Sequence, residues 1–188
     1  MEKFGLEKVM VTTMQALSGG GYPGVASLDV IDNVYPYIGM EEEKVQTETL
    51  KLLGKFDGEG IKFAKTVVSA QCNRVNVSDG HTECVSVKLS KPATEVEMVK
   101  AFEDFNPLKS LKLPSSPQHP IVVRKEPDRP QPRLDRMAER GMASVVGRIR
   151  KCPVLDYKFV VLGHNTIRGA AGAAILNAEL MKVKGLIG

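Results

Sequence analysis

The alternation of apolar and polar positions predicts a series of strands along the chain. Residues 8–14 are mostly β-branched and alternate, and they run into a glycine-rich tract from Ser18 to Gly21. Such a tract can cradle a phosphate or a flat ring with its backbone N–H groups, although a bare glycine tract is weak evidence for either. The strands predicted in this way are residues 8–14, 66–71, 84–89, 142–149 and 156–162.

Helix-end residues and the helical spacing of apolar positions predict four helices between these strands. Acidic residues Glu41 to Glu43 open one helix, as suits its positive end, and Gly54 follows its last turn. A capping box formed by Thr94 and Glu97 starts another. The predicted helices are residues 27–35 with Ser27 as N-cap, 41–53, 94–106 and 168–184. The alternation of strands and helices indicates a mixed α and β fold.

Two segments interrupt this pattern. Seven of the eleven prolines lie between Pro107 and Pro132, around the apolar run Ile121 to Val123. Arginine and apolar residues are interleaved with these prolines, so we expect the segment to be ordered by packing. At the front, Glu2 to Gly5 has the pattern of the last turn of a helix followed by its glycine stop, and the chain is therefore expected to begin partway through a fold.

Composition narrows the class of protein. The 188 residues are 43% hydrophobic and 26% charged, and no run approaches the ~18 apolar residues of a membrane span. We therefore expect one soluble, cytoplasmic domain. Three cysteines without a CxxC pair argue against a disulfide framework and a zinc site, so no metal is expected. Residues 124–151 carry nine Lys or Arg against four Asp or Glu but no aromatic residue, so nucleic-acid binding is not expected.

The segment from Cys72 to Glu83 combines a cysteine, an arginine and a histidine. In one unbroken strand Arg74 and His81, seven residues apart, would face opposite sides of the sheet. A two-residue hairpin turn at Asp79-Gly80 would instead pair Ser78 with His81 and bring Arg74 onto the same face, and we expect this hairpin. From the residues alone, His81 is equally compatible with catalysis and with a structural role. Taken alone, Arg74 is interpreted as a surface charge.

The cysteines are expected to be structural. With the predicted hairpin, Cys72 lies about 20 Å along the strand from Ser78, too far to contact His81. A thiol inside a strand usually behaves as a small buried hydrophobe. The same reasoning applies to Cys84 and Cys152.

Five motifs follow one another in the order and spacing of a known family. They are Gln15 to Gly24, Glu41 to Lys44, Arg74 six residues before Gly80-His81, Asp128 to Arg136, and His164 to Gly172. Together they resemble the C-terminal portion of aspartate-semialdehyde dehydrogenase of the archaeal and fungal type. The resemblance runs from about Phe4 to the end of the chain.

The resemblance implies an α+β fold like the C-terminal domain of glyceraldehyde-3-phosphate dehydrogenase. Its sheet would be mixed and mostly antiparallel, with helices packed on one face. Residues 1–163, including the proline-rich excursion 107–132, would form the substrate-binding and dimerisation domain of a homodimer or tetramer. Residues 164–188 would form a helix that packs on an N-terminal NADP-binding domain. The family implies no nucleic-acid or membrane partner.

The resemblance also implies a reaction. Members of the family interconvert aspartate semialdehyde, phosphate and NADP with aspartyl phosphate and NADPH, through a cysteine thiolate that forms a thiohemiacetal and then a thioester. The residue matching His81 is the general acid/base, since an imidazole titrates near neutral pH, and Gln15 matches the amide that orients the substrate. Arg74 would hold the substrate α-carboxylate in a two-pronged bond.

The remaining matched residues would bind the amino group, phosphate and cofactor. Glu41 would accept from the substrate ammonium, and Lys44, one helical turn further on, would meet phosphate. Asn165 matches the residue that holds the nicotinamide carboxamide. Ser18 and Gly19 would approach NADP from the glycine-rich turn.

The sequence departs from the family pattern in one major respect. The family's nucleophilic cysteine, in an Asn-x-Cys segment at the head of a helix, and its dinucleotide-binding fold have no counterpart here, and Cys72 matches no catalytic position. We therefore expect the chain alone to be inactive. Two alternatives stay open: a related acyl-CoA or acyl-phosphate reductase, such as malonyl-CoA reductase or N-acetylglutamyl-phosphate reductase, and a non-catalytic subunit-interaction module.

Overall fold

A mixed six-stranded sheet lies at the centre of the fold. The computed structural model describes residues 2–188. In chain order the strands are β1 Leu6–Gln15, β2 Lys55–Phe56, β3 Ile61–Lys62, β4 Val67–Arg74, β5 His81–Leu89, β6 Ile121–Arg124, β7 Ser144–Lys151 and β8 Tyr157–Gly163. The order across the sheet is β4-β1-β5-β8-β7-β6, and β2 and β3 form a separate two-stranded hairpin. Three of the five pairings in the large sheet are antiparallel, whereas β4 with β1 and β6 with β7 are parallel.

Short helices and turns connect the strands. The α-helices of the described residues are α1 Ser27–Val30, α2 Glu41–Leu52, α3 Glu95–Glu103, α4 Pro132–Asp135 and α5 Gly172–Val183. The 3-10 turns are Glu2–Phe4, Leu17–Gly20, Lys109–Leu111 and Ala138–Gly141, and a π turn, Ile167–Ala171, leads into α5. Within residues 2–188 we find no helix with the length and apolar character needed to cross a membrane.

The hairpin predicted at Asp79-Gly80 is wrong. Strands β4 and β5 lie on either side of β1 and pair with it instead of with each other. Arg74 pairs with Gln15 on one edge of β1, and Thr82 pairs with Met14 on the other. The Asp-Gly signal depends only on neighbouring residues. Strand β1 comes from elsewhere in the chain and can pair with β4 along one edge and with β5 along the other. Inserting β1 therefore satisfies more backbone groups than a direct hairpin would.

The apolar core lies on the face of the sheet that α3 covers. Met98 and Phe102 of α3 are buried there, and the rings of Phe102 and Phe159 meet edge to face with centroids 5.4 Å apart. The predicted capping box is present, since the Thr94 side chain accepts from the Glu97 N–H and the Glu97 carboxylate accepts from the Thr94 N–H. The helix ends three residues before its predicted end.

Helix α2 and the segment that follows α1 cover the outer edge of β4. The N–H of Cys72 donates to Glu42 Oε1 at 2.9 Å. Arg74 exchanges two backbone hydrogen bonds with Tyr35, at 2.8 and 3.0 Å. These contacts pair two of the N–H groups that an open edge strand would leave free, and they fix the position of Arg74 at the end of β4.

The helix predicted for residues 27–35 is correspondingly too long. Helix α1 has four residues and begins after Ala26, which occupies the N-cap position that was expected one residue later. Asp32 then adopts a left-handed φ of 53°. The chain leaves the helix because Tyr35 has to run extended to pair with β4, and tertiary pairing outweighs local helix propensity.

A buried carboxylate holds the proline-rich excursion against the sheet. Asp135 is 1% exposed and accepts hydrogen bonds from Arg124 Nε at 3.0 Å, Arg129 Nε at 2.6 Å and the Gln131 N–H at 2.8 Å. Burial alone would raise the pKa of Asp135, but these hydrogen bonds and the Arg129 charge hold it below its usual value. These bonds hold the last part of the excursion, residues 124–131. That packing orders the whole segment stays a prediction.

The last helix approaches its neighbours through small residues. Leu176 of α5 is buried with Leu113 and Met142. A Cβ on Gly172 would overlap the Met142 sulfur, so a glycine is needed at the head of this helix. Exposed apolar side chains on the rest of the segment include Ile175, Met181, Val183 and Leu186. The packing of residues 164–188 on another domain stays a prediction.

Candidate functional site

Arg74 and His81 meet just beyond the end of β1. Arg74 ends β4 and His81 begins β5, the two strands that flank β1. Gly19, in the 3-10 turn after β1, packs against both side chains: a Cβ at this position would lie 2.9 Å from Arg74 Nη1 and 3.1 Å from His81 Cε1. The guanidinium and the imidazole therefore border one common space. The inserted strand brings them together, and a hairpin is not needed.

The backbone of Ala16 holds both groups in place. Its N–H donates to His81 Nδ1 at 3.0 Å, and its carbonyl oxygen accepts from Arg74 Nη1 at 2.7 Å. Ala16 itself is completely buried, so water does not compete for either bond. The orientation of the two side chains is fixed from within the main chain.

The surroundings of His81 disfavour the imidazolium ion. Burial and the neighbouring Arg74 guanidinium lower the pKa of His81 to about 4, with the Glu41 carboxylate opposing them. Burial also lowers the pKa of Arg74, which is 5% exposed, and Glu41 again opposes. Arginine nevertheless stays charged in proteins. At neutral pH the site presents a fixed positive charge beside a neutral ring.

Glu41 lies beside this pair, in the first turn of α2. Its Oε1 accepts from Gln15 Nε2 at 3.2 Å, and its Oε2 accepts from Lys44 Nζ at 3.3 Å. Gln15 is buried on β1, next to Arg74 in the strand register, whereas the Lys44 side chain is 57% exposed. The group Gln15, Glu41 and Lys44 therefore extends the site from its buried wall towards solvent.

Asn165 connects the loops on the other side of His81. Its Oδ1 accepts from the Gly80 N–H at 2.9 Å, and its Nδ2 donates to Ser18 Oγ at 2.8 Å. Gly80 has a φ of 96°, which favours glycine at the residue before His81. The structure thus places the residues singled out in the sequence as two adjoining groups around His81. Their roles stay predictions.

Two contributors were not identified from the sequence. Ala16 acts through its backbone, which leaves no side-chain signal. Arg136 donates through Nη1 to Ser78 Oγ and to the Asp79 carbonyl oxygen, both at 3.2 Å, and so braces the turn that leads to His81. Arg136 ends one of the five motifs, and its place in that motif is the signal that could have identified it.

The cysteines are not placed to assist His81. Cys72 is 1% exposed, and burial raises the pKa of its thiol. The negative charges of nearby carboxylates raise this pKa further. Cys84 is three residues beyond His81 on the same strand, so it projects to the opposite face. Cys152 lies at the other end of β8 from the residue that pairs with His81. No set of three or more His, Cys, Asp or Glu side chains within residues 2–188 is arranged to hold a metal ion.

Comparisons with known proteins identify the family. The family model described as semialdehyde dehydrogenase, dimerisation domain, matches residues 1–168. Aspartate-semialdehyde dehydrogenase of Archaeoglobus fulgidus is 60% identical over 177 residues, which are 94% of this chain and 51% of that protein. The enzyme of Candida albicans is 49% identical over 197 residues, which are 100% of this chain and 54% of that protein. The chain therefore spans about half the length of the curated relatives that it matches.

Solved structures agree with this result. The crystal structure of aspartate semialdehyde dehydrogenase with NADP from Candida albicans superposes with a TM-score of 0.89 at 46% identity, over 99% of this chain and 53% of that one. Aspartate semialdehyde dehydrogenase II from Vibrio cholerae, complexed with ASA, shares the fold with a TM-score of 0.73 at 22% identity, over 96% of this chain and 56% of that one. The predicted α+β fold and the resemblance are confirmed. The chain belongs to the semialdehyde dehydrogenase dimerisation-domain family.

Proposed function

We propose that this chain supplies the substrate-binding part of an NADP-dependent aspartate-semialdehyde dehydrogenase, which converts aspartate semialdehyde and phosphate to aspartyl phosphate. The observation that carries the proposal is the convergence of Arg74 and His81 on Gly19, beside Glu41 and Lys44. Relatives 60% and 49% identical to this chain are aspartate-semialdehyde dehydrogenases, which supports this substrate. In this proposal the complete protein is a cytoplasmic homodimer or tetramer, and the family's description as a dimerisation domain supports the dimer.

Each charged group of the amino aldehyde has a complementary partner in the site. Arg74 donates one N–H to the Ala16 carbonyl oxygen, and its other N–H groups could form a two-pronged bond to the α-carboxylate. The Glu41 carboxylate, whose charge acts on this guanidinium, would accept from the α-ammonium group, while Gln15 would orient the substrate between them. Lys44 is exposed at the edge of the site, so it can turn from Glu41 to an incoming phosphate.

The other side of His81 fits a flat cofactor ring. Ser18 and Gly19 are exposed, and the missing Cβ at Gly19 leaves room for a ring to approach Arg74 and His81. Asn165 uses one N–H and one lone pair within the protein and keeps the others for the nicotinamide carboxamide. When bound, NADP supplies the acceptor for the hydride of the substrate. Ser18, Gly19 and Asn165 would hold it there.

The proposed reaction also needs a cysteine thiolate close to His81. As described above, Cys72 is buried, Cys84 projects to the opposite face of the sheet from His81, and Cys152 lies at the other end of β8. The thiolate therefore has to come from outside these 188 residues. We predict that the chain alone shows no phosphate-dependent reduction of NADP with aspartate semialdehyde, and measurable turnover would refute this prediction.

The central test uses the complete enzyme and the Arg74→Ala variant. Hydrogen bonds to charged groups contribute about 1.5–3 kcal/mol each, so losing a two-pronged bond should raise the KM for aspartate semialdehyde about 100-fold or more. The matched control is Arg148→Ala, which removes an exposed arginine on β7 and should leave the KM within about twofold. Equal KM values for the two variants would contradict the assignment of Arg74.

A second variant separates this function from that of related reductases. Glu41→Gln should raise the KM for aspartate semialdehyde, because the substrate ammonium loses its anionic partner. It should not raise the KM for succinate semialdehyde, which has the same aldehyde but no amino group. A Glu41→Gln variant that handles both aldehydes like the wild type would favour a reductase of a substrate without an amino group.

A further inference from the structure

A cavity of about 340 Å³ lies at the end of the sheet that is far from the candidate site. Strand β8 pairs with His81 through Gly163 at one end and with Lys151 of β7 through Tyr157 at the other. The cavity is close to Lys151 and is lined by α3, by residues 123–127 and by residues 148–150. A ligand bound here would therefore be well separated from the substrate of the proposed reaction.

Positive charge dominates the lining of this cavity. Its charged side chains are Arg124, Lys125, Glu126, Arg148 and Arg150. Arg124 is balanced by the buried Asp135, to which its Nε donates. Three positive groups then face the single Glu126 carboxylate, a net excess of two positive charges. The backbone N–H groups of Glu126 and Lys125 lower the pKa of Glu126 against desolvation, and nearby arginine charges lower it further, so this carboxylate is ionised and already counted.

A bulge in β7 places two of these arginines beside the cavity. The pairing of β7 with β8 shifts between Gly147 and Arg150, and Arg148 between them has a left-handed φ of 58°. A bulge changes the direction of side chains, and a residue other than glycine is strained in this conformation, so surrounding contacts have to hold it. One such contact is close, since a Cβ on Gly147 would lie 2.4 Å from the Arg129 carbonyl oxygen. The segment that follows β6 therefore fixes the bulge.

Main-chain carbonyl groups orient both guanidinium groups. Arg148 donates through Nη1 to the Pro127 carbonyl oxygen, which holds residues 125–127 against β7. Arg150 donates through Nη1 to the Arg148 carbonyl oxygen and makes no other side-chain hydrogen bond within residues 2–188. A guanidinium has several N–H donors, so Arg150 keeps others that can bind an anion. Because its guanidinium is already oriented, binding costs less conformational entropy than it would for a free side chain.

The other side of the cavity is apolar. Val99, Val123 and Ile149 line it and are half-buried, and Val123 and Ile149 also pack against the main core. Ligand pockets range upwards from about 300 Å³, so the volume suits a small molecule. The cavity thus offers an apolar surface next to an oriented guanidinium.

We propose that this cavity binds a small phosphate monoester, with the phosphate on Arg150 and Lys125 and the apolar group against Val123 and Ile149. A monoester phosphate is nearly doubly charged at neutral pH, which matches the excess of two positive charges, whereas a carboxylate would match only half of it. The planar guanidinium donates two parallel N–H groups to phosphate oxygens. The exposed Lys125 ammonium, which has no ion pair within residues 2–188, supplies the second charge. The site is independent of the proposed function, because none of its residues takes part in that reaction.

The test is a ³¹P NMR titration of the complete enzyme with phenyl phosphate at about pH 8, where the monoester is doubly charged. Low ionic strength is used, since salt screens exposed charges. Arg150→Met keeps the length of the side chain and removes the guanidinium, so the Kd should rise about tenfold or more. The matched control, Arg133→Met, removes an exposed arginine outside the cavity and should change the Kd by less than about twofold. Equal Kd values for these two variants, or no binding by the wild type at about 10 mM ligand, would overturn the proposal.

A second pair of variants keeps the test decisive if Arg150→Met folds poorly. The Lys125 side chain makes no hydrogen bond or ion pair within residues 2–188, so Lys125→Glu should leave the fold intact. Reversing this charge next to the phosphate should raise the Kd about tenfold. The control is Lys65→Glu, at an exposed lysine before β4. A Lys125→Glu enzyme that binds phenyl phosphate as tightly as Lys65→Glu would refute the assignment.

Two further measurements check the location and the class of ligand. Lys44→Met removes the lysine that is proposed to meet phosphate in the candidate site, and it should leave the Kd for phenyl phosphate unchanged. If Lys44→Met weakens binding and Arg150→Met does not, the anion is in the candidate site and the proposal fails. Methyl phosphate should bind about fivefold more weakly than phenyl phosphate, because it leaves the apolar side of the cavity uncovered. Equal affinity for the two esters would contradict the proposed ligand class.

Discussion

The contact of Gly19 with the two central side chains predicts a specific loss of activity in Gly19→Ala. The added methyl carbon would lie 2.9 Å from Arg74 Nη1, 3.1 Å from His81 Cε1 and 3.2 Å from His81 Nε2. Non-bonded heavy atoms prefer separations of about 3.5–4.0 Å, so the groups have to separate by roughly 0.5–1 Å. Arg74 is 5% exposed and donates to the Ala16 carbonyl oxygen, so a shift of its guanidinium would strain or break that bond.

A displacement of this size should lower the catalytic rate strongly and change the stability of the fold little. Misplacing a catalytic group by about 1 Å can cost about 10²-fold in rate, which corresponds to about 2.7 kcal/mol of transition-state stabilisation. The turn itself tolerates alanine, because Gly19 is exposed and does not have a left-handed φ. Alanine also lowers the conformational entropy of the unfolded chain. This stabilises the folded state by about 0.4–1 kcal/mol and offsets part of the strain. We therefore expect kcat/KM to fall about 100-fold with little change in Tm.

The neighbouring glycine provides the control. A Cβ on Gly20 would contact Val25 Cγ2 at an ordinary 3.5 Å and would approach neither Arg74 nor His81. The assay is phosphate-dependent NADP reduction by the complete enzyme carrying Gly19→Ala or Gly20→Ala, with thermal unfolding measured on both. If Gly19→Ala keeps kcat/KM within about threefold of Gly20→Ala, the reasoning about this close contact is refuted.

Three further substitutions test the framework of the site. Asp135→Asn should lower the free energy of unfolding, measured by urea titration, by about 3 kcal/mol. This is the low end for breaking a buried ion pair, because the arginine partners are partly exposed. The control is Glu139→Gln, which removes the exposed pair between His119 and Glu139 and should cost less than about 1 kcal/mol. A loss for Asp135→Asn no larger than this control contradicts the argument. Cys72→Ser should cost about 1–3 kcal/mol but leave kcat unchanged in the complete enzyme, and a kcat loss above tenfold in a folded variant contradicts the structural role. Thr94→Ala should cost about 1 kcal/mol in the same titration, and no loss contradicts the capping box.

Local patterns predicted most strands and helix starts, whereas long-range pairings escaped them. The Asp79-Gly80 signal was interpreted as a hairpin because the two flanking segments are adjacent in sequence. Nothing within those segments shows that β1, some 60 residues earlier, lies between them. Likewise, the helical pattern of residues 27–35 carries no information that Tyr35 is required as a partner for the edge of β4.

The candidate site shows the same division. The side chains of Arg74, His81 and Glu41 were found because their types and order match a family. Ala16 was not found, since its contribution comes from the N–H and C=O that every residue except proline possesses. The protonation state of His81 could not be predicted from the sequence either, because it depends on which backbone N–H donates to which ring nitrogen.

The two candidate-site side chains, Arg74 and His81, both depend on the main chain of Ala16, and this affects how the site should be probed. Systematic alanine replacement skips a position that is already alanine, so a survey of that kind would miss the residue that orients both the guanidinium and the ring. Exchange of the backbone amide for an ester, introduced by chemical ligation, would remove the donor while keeping the side chain. An alanine scan of this chain would therefore leave the contribution of the Ala16 backbone to the candidate site unmeasured.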